Sequence, residues 1–178
     1  MRNLFTALLF FVFITYGNAQ EKQAGPVLDN YGEVWSVTNP DFKTDVNAEF
    51  KVVFDIMTSP ESHTEVNKTI ETAARFLNMH AQSGVPLSQL KVALVVHNKA
   101  SKDIIQNEAY ETRFGVSNPN YDLVKELMDA GVEVILCGQS SKSRNFPKKD
   151  LIPGAKISLS AMTALIQLQN DGYQLIKF

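Results

Sequence analysis

The 178-residue chain has one cysteine, Cys137, which follows Val132-Glu133-Val134-Ile135-Leu136 and precedes Gly138-Gln139-Ser140-Ser141-Lys142-Ser143-Arg144. An apolar run that gives way to glycine and small polar residues predicts a buried parallel strand, a tight turn and a helix N-terminus. In an open α/β sheet, ligands bind beyond the carboxyl ends of the strands, and Cys137 stands at such an end. A thiol beside exposed backbone N–H groups, with Lys142, Arg144, Lys148 and Lys149 downstream, ionises more readily than a free one. The chemistry on offer is that of a thiolate nucleophile. The other reading is a small buried hydrophobe, as many lone cysteines are. The pattern alone leaves both open.

The neighbours needed for such chemistry lie at a second strand end. Val92-Ala93-Leu94-Val95-Val96 is a continuous apolar run, and His97-Asn98 follows it. If that strand lies beside the cysteine strand, His97 is placed to hold or accept the thiol proton; otherwise it is a surface loop histidine. Backbone N–H groups of Gly138 and Gln139, with Arg144, suit a bound or developing anion. Ser140 and Asn98 complete the candidate ligand-binding set. His63 and His80, 17 positions apart with no cysteine or carboxylate pattern around them, do not have a metal spacing. No metal or cofactor is expected. There is no G-x-G-x-x-G, no G-x-x-x-x-G-K-[ST] and no G-x-S-x-G, so the usual nucleotide and hydrolase fingerprints are missing.

The elements that must carry these residues follow from periodicity. Apolar content of 44% and charged content of 20% predict a globular domain, and a net charge of −2 gives no reason to expect nucleic-acid binding. Residues 1–19 read as a signal peptide: Arg2, an apolar stretch from Leu4 to Ile14, then Gly17-Asn18-Ala19 before a cut at Gln20. That implies an exported protein, periplasmic or secreted, with no membrane segment after cleavage. A single cysteine cannot form an internal disulfide, so it is free, joined to another chain or chemically employed.

Residues 20–49 are polar and turn-rich and read as an arm wrapping the domain or a neighbouring subunit, with Tyr31, Val34, Trp35 and Val37 as anchors. Trp35 is either a packing anchor or an aromatic platform for a ligand. A domain over residues 50–178 follows. Val52 to Met57 is a strand, apolar apart from Asp55. Ser62 and Glu65 fit a capping box for a helix carrying Val66, Ile70, Ala73, Leu77 and Ala81 on one face. Asn67-Lys68-Thr69 is a glycosylation sequon inside that predicted helix. A short helix is expected from Ser101 to Tyr110. Another, from Tyr121 to Ala130, is capped by Asn118 or Asn120 and closed by Gly131. Lys156 to Leu159 is a short strand, Ser160 caps a helix from Ala161 to Asn170, and Tyr173 to Phe178 is an edge strand. Alternation of strands and helices predicts an α/β fold with a mainly parallel sheet and helices on both faces.

The run from Asn118 through Gly131-Val132-Glu133-Val134-Ile135-Leu136-Cys137-Gly138-Gln139-Ser140 resembles the DsrE/DsrF-like family. Val95-Val96-His97-Asn98-Lys99-Ala100 is similar to that family's second-strand end, and Ser158 to Tyr173 to its last helix and strand. The resemblance covers about Phe50 to Phe178. It implies a five-stranded three-layer α/β/α domain that assembles into trimers or hexamers. It also implies a cysteine at the position of Cys137 that carries sulfur as a persulfide in the sulfur-relay members. The N-terminal signal and arm depart from the relay proteins. Two functions follow as expectations: a sulfur carrier or sulfurtransferase-like protein acting through Cys137, or a non-catalytic oligomeric protein holding a small anionic or thiol ligand at the same turn. A structural subunit with no small-molecule site is the third reading.

Overall fold

The computed structural model describes residues 21–177. The expected signal peptide and the final residue, Phe178, lie outside them. Five strands form one parallel sheet in the order β4-β3-β2-β1-β5: β1 (Phe50–Ile56), β2 (Leu90–Val96), β3 (Glu133–Cys137), β4 (Lys156–Ser158) and β5 (Gln174–Ile176). Five helices cover it: α1 (Lys68–Gln82), α2 (Asn107–Phe114), α3 (Tyr121–Asp129), α4 (Gly138–Ser143) and α5 (Ala161–Asn170). This is the expected α/β architecture. Among the described residues, no helix is long and apolar enough to cross a membrane.

Strand alternation divides the core in two. Val52, Phe54, Ile56, Val92, Leu94, Val96, Val134 and Leu136 face the larger cluster, which takes in Ile70, Ala73 and Leu77 of α1 and Leu123, Val124 and Leu127 of α3. Val53, Ala93, Val95 and Cys137 face the smaller one, covered by Ala161, Ala164 and Leu168 of α5. The central strands β1 to β3 are buried on both faces, which is why they read as continuous apolar runs. The edge strands β4 and β5 are three residues each and mostly exposed.

Several boundaries differ from the sequence expectation. Helix α1 begins at Lys68, and its cap is Asn67, whose Oδ1 accepts from the Thr69 N–H at 2.9 Å, rather than a Ser62–Glu65 capping box. The backbone before it is held open because Asn67 is anchored elsewhere: its N–H donates to Asn120 Oδ1 (2.7 Å) and its amide to Asp103 Oδ2 (2.6 Å). The sequon asparagine is therefore a buried cap with a committed amide. The helix expected over Ser101–Tyr110 divides into a 3-10 turn, Asn98–Ile104, and α2. Asn120 precedes α3 but makes no side-chain cap, since its Oδ1 serves Asn67.

The arm packs on α1. Asn78, fully buried, accepts from the N–H groups of Val27 and Leu28 and donates to the carbonyls of Leu28, Tyr31 and Gly32. Gly32 has a positive φ of 72° and lies so close to the α1 backbone at Ala74 that a Cβ has no room. Leu28 and Val34 are the buried anchors, each worth about 2 kcal/mol by area. Tyr31 is half-buried, whereas Trp35 and Val37 stay on the surface, with Lys22 Nζ 5.6 Å from the Trp35 ring.

Candidate functional site

Cys137 closes β3 and is the N-cap residue of α4. Its side chain follows the α5 face of the sheet, so the thiol lies where the first turns of α4 and α5 meet. Burial raises its pKa. Against that, Sγ accepts from the backbone N–H groups of Ser140, Ala161 and Gln139 and from the Ser140 hydroxyl, and together these hold the thiol below its ordinary value. The opposing effects are both general: desolvation disfavours the thiolate, and hydrogen bonds to the charged form favour it. The chain reaches this geometry because each helix leaves its first N–H groups without intrahelical partners. Ser160 caps α5 by accepting from the Thr163 N–H at 3.0 Å, and that fixes Ala161 over the thiol.

Gly138 has a steric part. A Cβ there collides with the carbonyl oxygens of Ser158 and Leu159, at the end of β4 and just beyond it. The largest hydrogen-bond contributions that lower the thiol come from Ser140, Ala161 and Gln139. Ala161, 24 positions along the chain, is the donor that local sequence reasoning missed. The Gln139 side chain donates to the Leu159 carbonyl at 3.2 Å and ties the turn to the approach of α5.

The downstream bases do not sit on the sulfur. Arg144 donates through Nη2 to Asn98 Oδ1, and Lys148 donates to the Ala155 carbonyl. Asn98, in the left-handed region at φ 51°, donates its N–H to Ser140 Oγ at 3.0 Å. A chain of hydrogen bonds thus runs from Arg144 through Asn98 and Ser140 to Sγ. Four of the candidate residues are brought together here, with Arg144 at the remote end.

His97 satisfies its sequence condition, because β2 does lie beside β3, with Val96 opposite Leu136. His97 continues the alternation that puts Val53, Asp55, Val95 and Cys137 on one face. Its Nε2 meets Asp55 Oδ1 at 2.7 Å, and Asp55 Oδ2 accepts from Lys177 Nζ at 2.8 Å. Burial raises the Asp55 carboxyl, but the hydrogen bonds from Lys177 and His97 outweigh it and hold the group below its ordinary value. An ionised Asp55 can only accept, so Nε2 carries the proton and Nδ1 is the free position. No hydrogen bond joins His97 to Cys137 among the described residues. The signal for Asp55 was visible in the sequence: it is the one acidic residue of β1, set between the apolar Phe54 and Ile56 near the strand's carboxyl end.

The family model of the DsrE/DsrF-like family matches residues 51–178. None of the curated proteins matches the sequence. Among solved structures, a protein of unknown function, MTH1491 from Methanobacterium thermoautotrophicum, superposes with a TM-score of 0.56 at 19% identity. The match covers 72% of this chain and 99% of that one. The ychN protein from E. coli superposes with a TM-score of 0.54 at 17% identity, over the same 72% of this chain and 99% of its own. At such identities the likeness concerns the fold. With the family model spanning β1 to the last residue, the chain belongs to the DsrE/DsrF-like family.

Proposed function

We propose that this chain is an exported sulfur carrier that holds sulfane sulfur as a persulfide on Cys137. The observation that carries the reading is the set of four donors on Sγ, which outweighs burial and favours the thiolate. The thiolate attacks the outer sulfur of a donor such as thiosulfate. A sulfur–sulfur bond forms to Cys137, the bond between the two donor sulfurs breaks, and sulfite leaves with the electron pair. The product is an anionic persulfide, so the same N–H groups that stabilise the thiolate are placed for the terminal sulfur. An acceptor thiolate then attacks that terminal sulfur and regenerates the Cys137 thiolate. Neither step needs a net oxidant or reductant.

His97, with Nε2 held by Asp55, is read as the proton carrier for an incoming thiol or thiol donor, through Nδ1. Export rests on the N-terminal sequence, and it sets a periplasmic or secreted compartment. We further infer a homo-oligomer, a trimer or hexamer. The outer side of α5 and the segment before it expose Leu159 (73%), Met162 (72%) and Ile166 (58%) at spacings of three and four, an apolar stripe suited to a second copy of this chain.

The test is a single-turnover assay with thiosulfate, reading the sulfite released per chain. One equivalent is expected from the unaltered protein and none from Cys137→Ser. Sulfite release that survives Cys137→Ser refutes the carrier. No release by either protein, with a small anion still binding at the Ser140–Arg144 turn, would instead support the non-catalytic binding role.

A further inference from the structure

A second candidate site lies between the segment after β1, the 3-10 turn after β2, α2 and the loop after α4. It is a cavity of about 200 Å³, smaller than the roughly 300–1,000 Å³ of pockets for drug-sized ligands. Its occupant is therefore small. Three cations line it, Lys99, Lys102 and Arg144. Lys102 is committed to the buried Asp103 at 3.1 Å and to the Tyr110 hydroxyl. Lys99 pairs with Glu61 at 2.8 Å, but both side chains are exposed, so that pair yields readily to a competitor. Arg144 meets only the neutral Asn98 Oδ1 and belongs to no ion pair among the described residues. With Glu61 and Asp103 both counted, the cations still outnumber the carboxylates by one.

Three further lining residues, His63, Phe114 and Phe146, are aromatic, beside Ser59, Pro60 and Glu61. The rings of His63 and Phe114 stack with centroids 4.3 Å apart and planes at 28°. Phe146 is buried, and the Arg113 guanidinium lies 4.7 Å from its ring centroid. Tyr110 supports Phe114 from behind at 4.6 Å. The Nδ1 atom of His63 is buried and has no hydrogen-bond partner. An aromatic wall beside a guanidinium that is hydrogen-bonded to a neutral amide and belongs to no ion pair among the described residues matches a ligand with a flat apolar body and one planar anionic group, because guanidinium engages a carboxylate bidentately.

We propose that this cavity binds a small aromatic carboxylate, with the carboxylate on Arg144 and the ring against Phe114 and Phe146. Cys137 is not in the lining, and Arg144 is the residue this cavity shares with the hydrogen-bond chain that leads to the thiol, so binding here needs no sulfur chemistry. The probe is benzoate, titrated calorimetrically into the full exported chain, with benzamide as the neutral isostere and sulfate as the anion without a ring. Benzoate is expected to bind at least tenfold more tightly than either. Its affinity should be unchanged in Cys137→Ser and reduced at least tenfold in Arg144→Gln, which removes an exposed charge and leaves the fold's circular dichroism intact. Phe114→Leu should weaken benzoate as well. Equal affinity for benzoate and benzamide, equal affinity for benzoate and sulfate, or no binding of benzoate would each overturn the assignment.

Discussion

Ser140→Ala is the most informative perturbation of the thiol. Ser140 contributes twice to Cys137, through its N–H and through its hydroxyl, and only the hydroxyl is lost in this variant. A hydrogen bond to a charged group contributes about 1.5–3 kcal/mol. The turn opens to solvent on the Gln139 side, so solvent screening brings this one nearer 1 kcal/mol. At 1.36 kcal/mol per tenfold change, the thiolate fraction below the thiol's pKa should fall about fivefold. A more basic thiolate is also a better nucleophile, with a Brønsted coefficient of about 0.4–0.5, so the rate of attack on a disulfide reagent should fall only about 2.5-fold. The direction with pH is fixed: reactivity is full above the depressed folded-state pKa and is lost as pH falls through it. The assay is the ultraviolet titration of the thiolate in both proteins, paired with the rate of reaction with an aromatic disulfide. An unchanged midpoint in Ser140→Ala would refute the hydrogen-bond account of thiol activation.

Gly138→Ala should destabilise the domain by about 1–3 kcal/mol in urea unfolding, because the new methyl meets the carbonyls of Ser158 and Leu159. Asp103→Asn should cost about 3 kcal/mol, since burial raises this carboxyl yet Lys102, Asn67 and Ser59 all donate to it, and an amide cannot accept from all three. For Asp55 the folded-state pKa is lowered, so its contribution to stability is complete above the unfolded carboxylate value of about 3.9 and is lost as pH falls further. Asp55→Asn should flatten the acid limb of a stability–pH profile and lower stability at neutral pH, read by denaturant midpoints at several pH values. Met162→Glu with Ile166→Glu should shift light scattering from oligomer to monomer without loss of helical signal; an unaltered mass would exclude that face as the interface.

The strands, α5 and its Ser160 cap were legible because their patterns are local: continuous apolar runs for β1 to β3, and a serine three residues before the Thr163 N–H it accepts from. The start of α1 was not legible. Asn67 is recruited as a cap by partners at Thr58, Asp103 and Asn120, and contacts of that range leave no trace in a window around Ser62. Cys137, Ser140 and Gln139 were visible as a turn. Ala161 was not, because its place over the sulfur depends on β4 pairing with β3 and delivering α5 to the same face. The basic residues misled for a related reason: Arg144 and Lys148 are near Cys137 in sequence, but their side chains are taken up by Asn98 and the Ala155 carbonyl. Trp35, the natural anchor by hydrophobicity, is more than half exposed, whereas Leu28 and Val34 are buried.

The central claim is that Cys137 carries sulfur. Intact mass spectrometry of the full chain after incubation with thiosulfate or polysulfide tests it most directly. A gain of the mass of one sulfur atom is expected, reversed by a thiol reductant and absent from Cys137→Ser. An unchanged mass in the unaltered protein, or the same gain in Cys137→Ser, would contradict it.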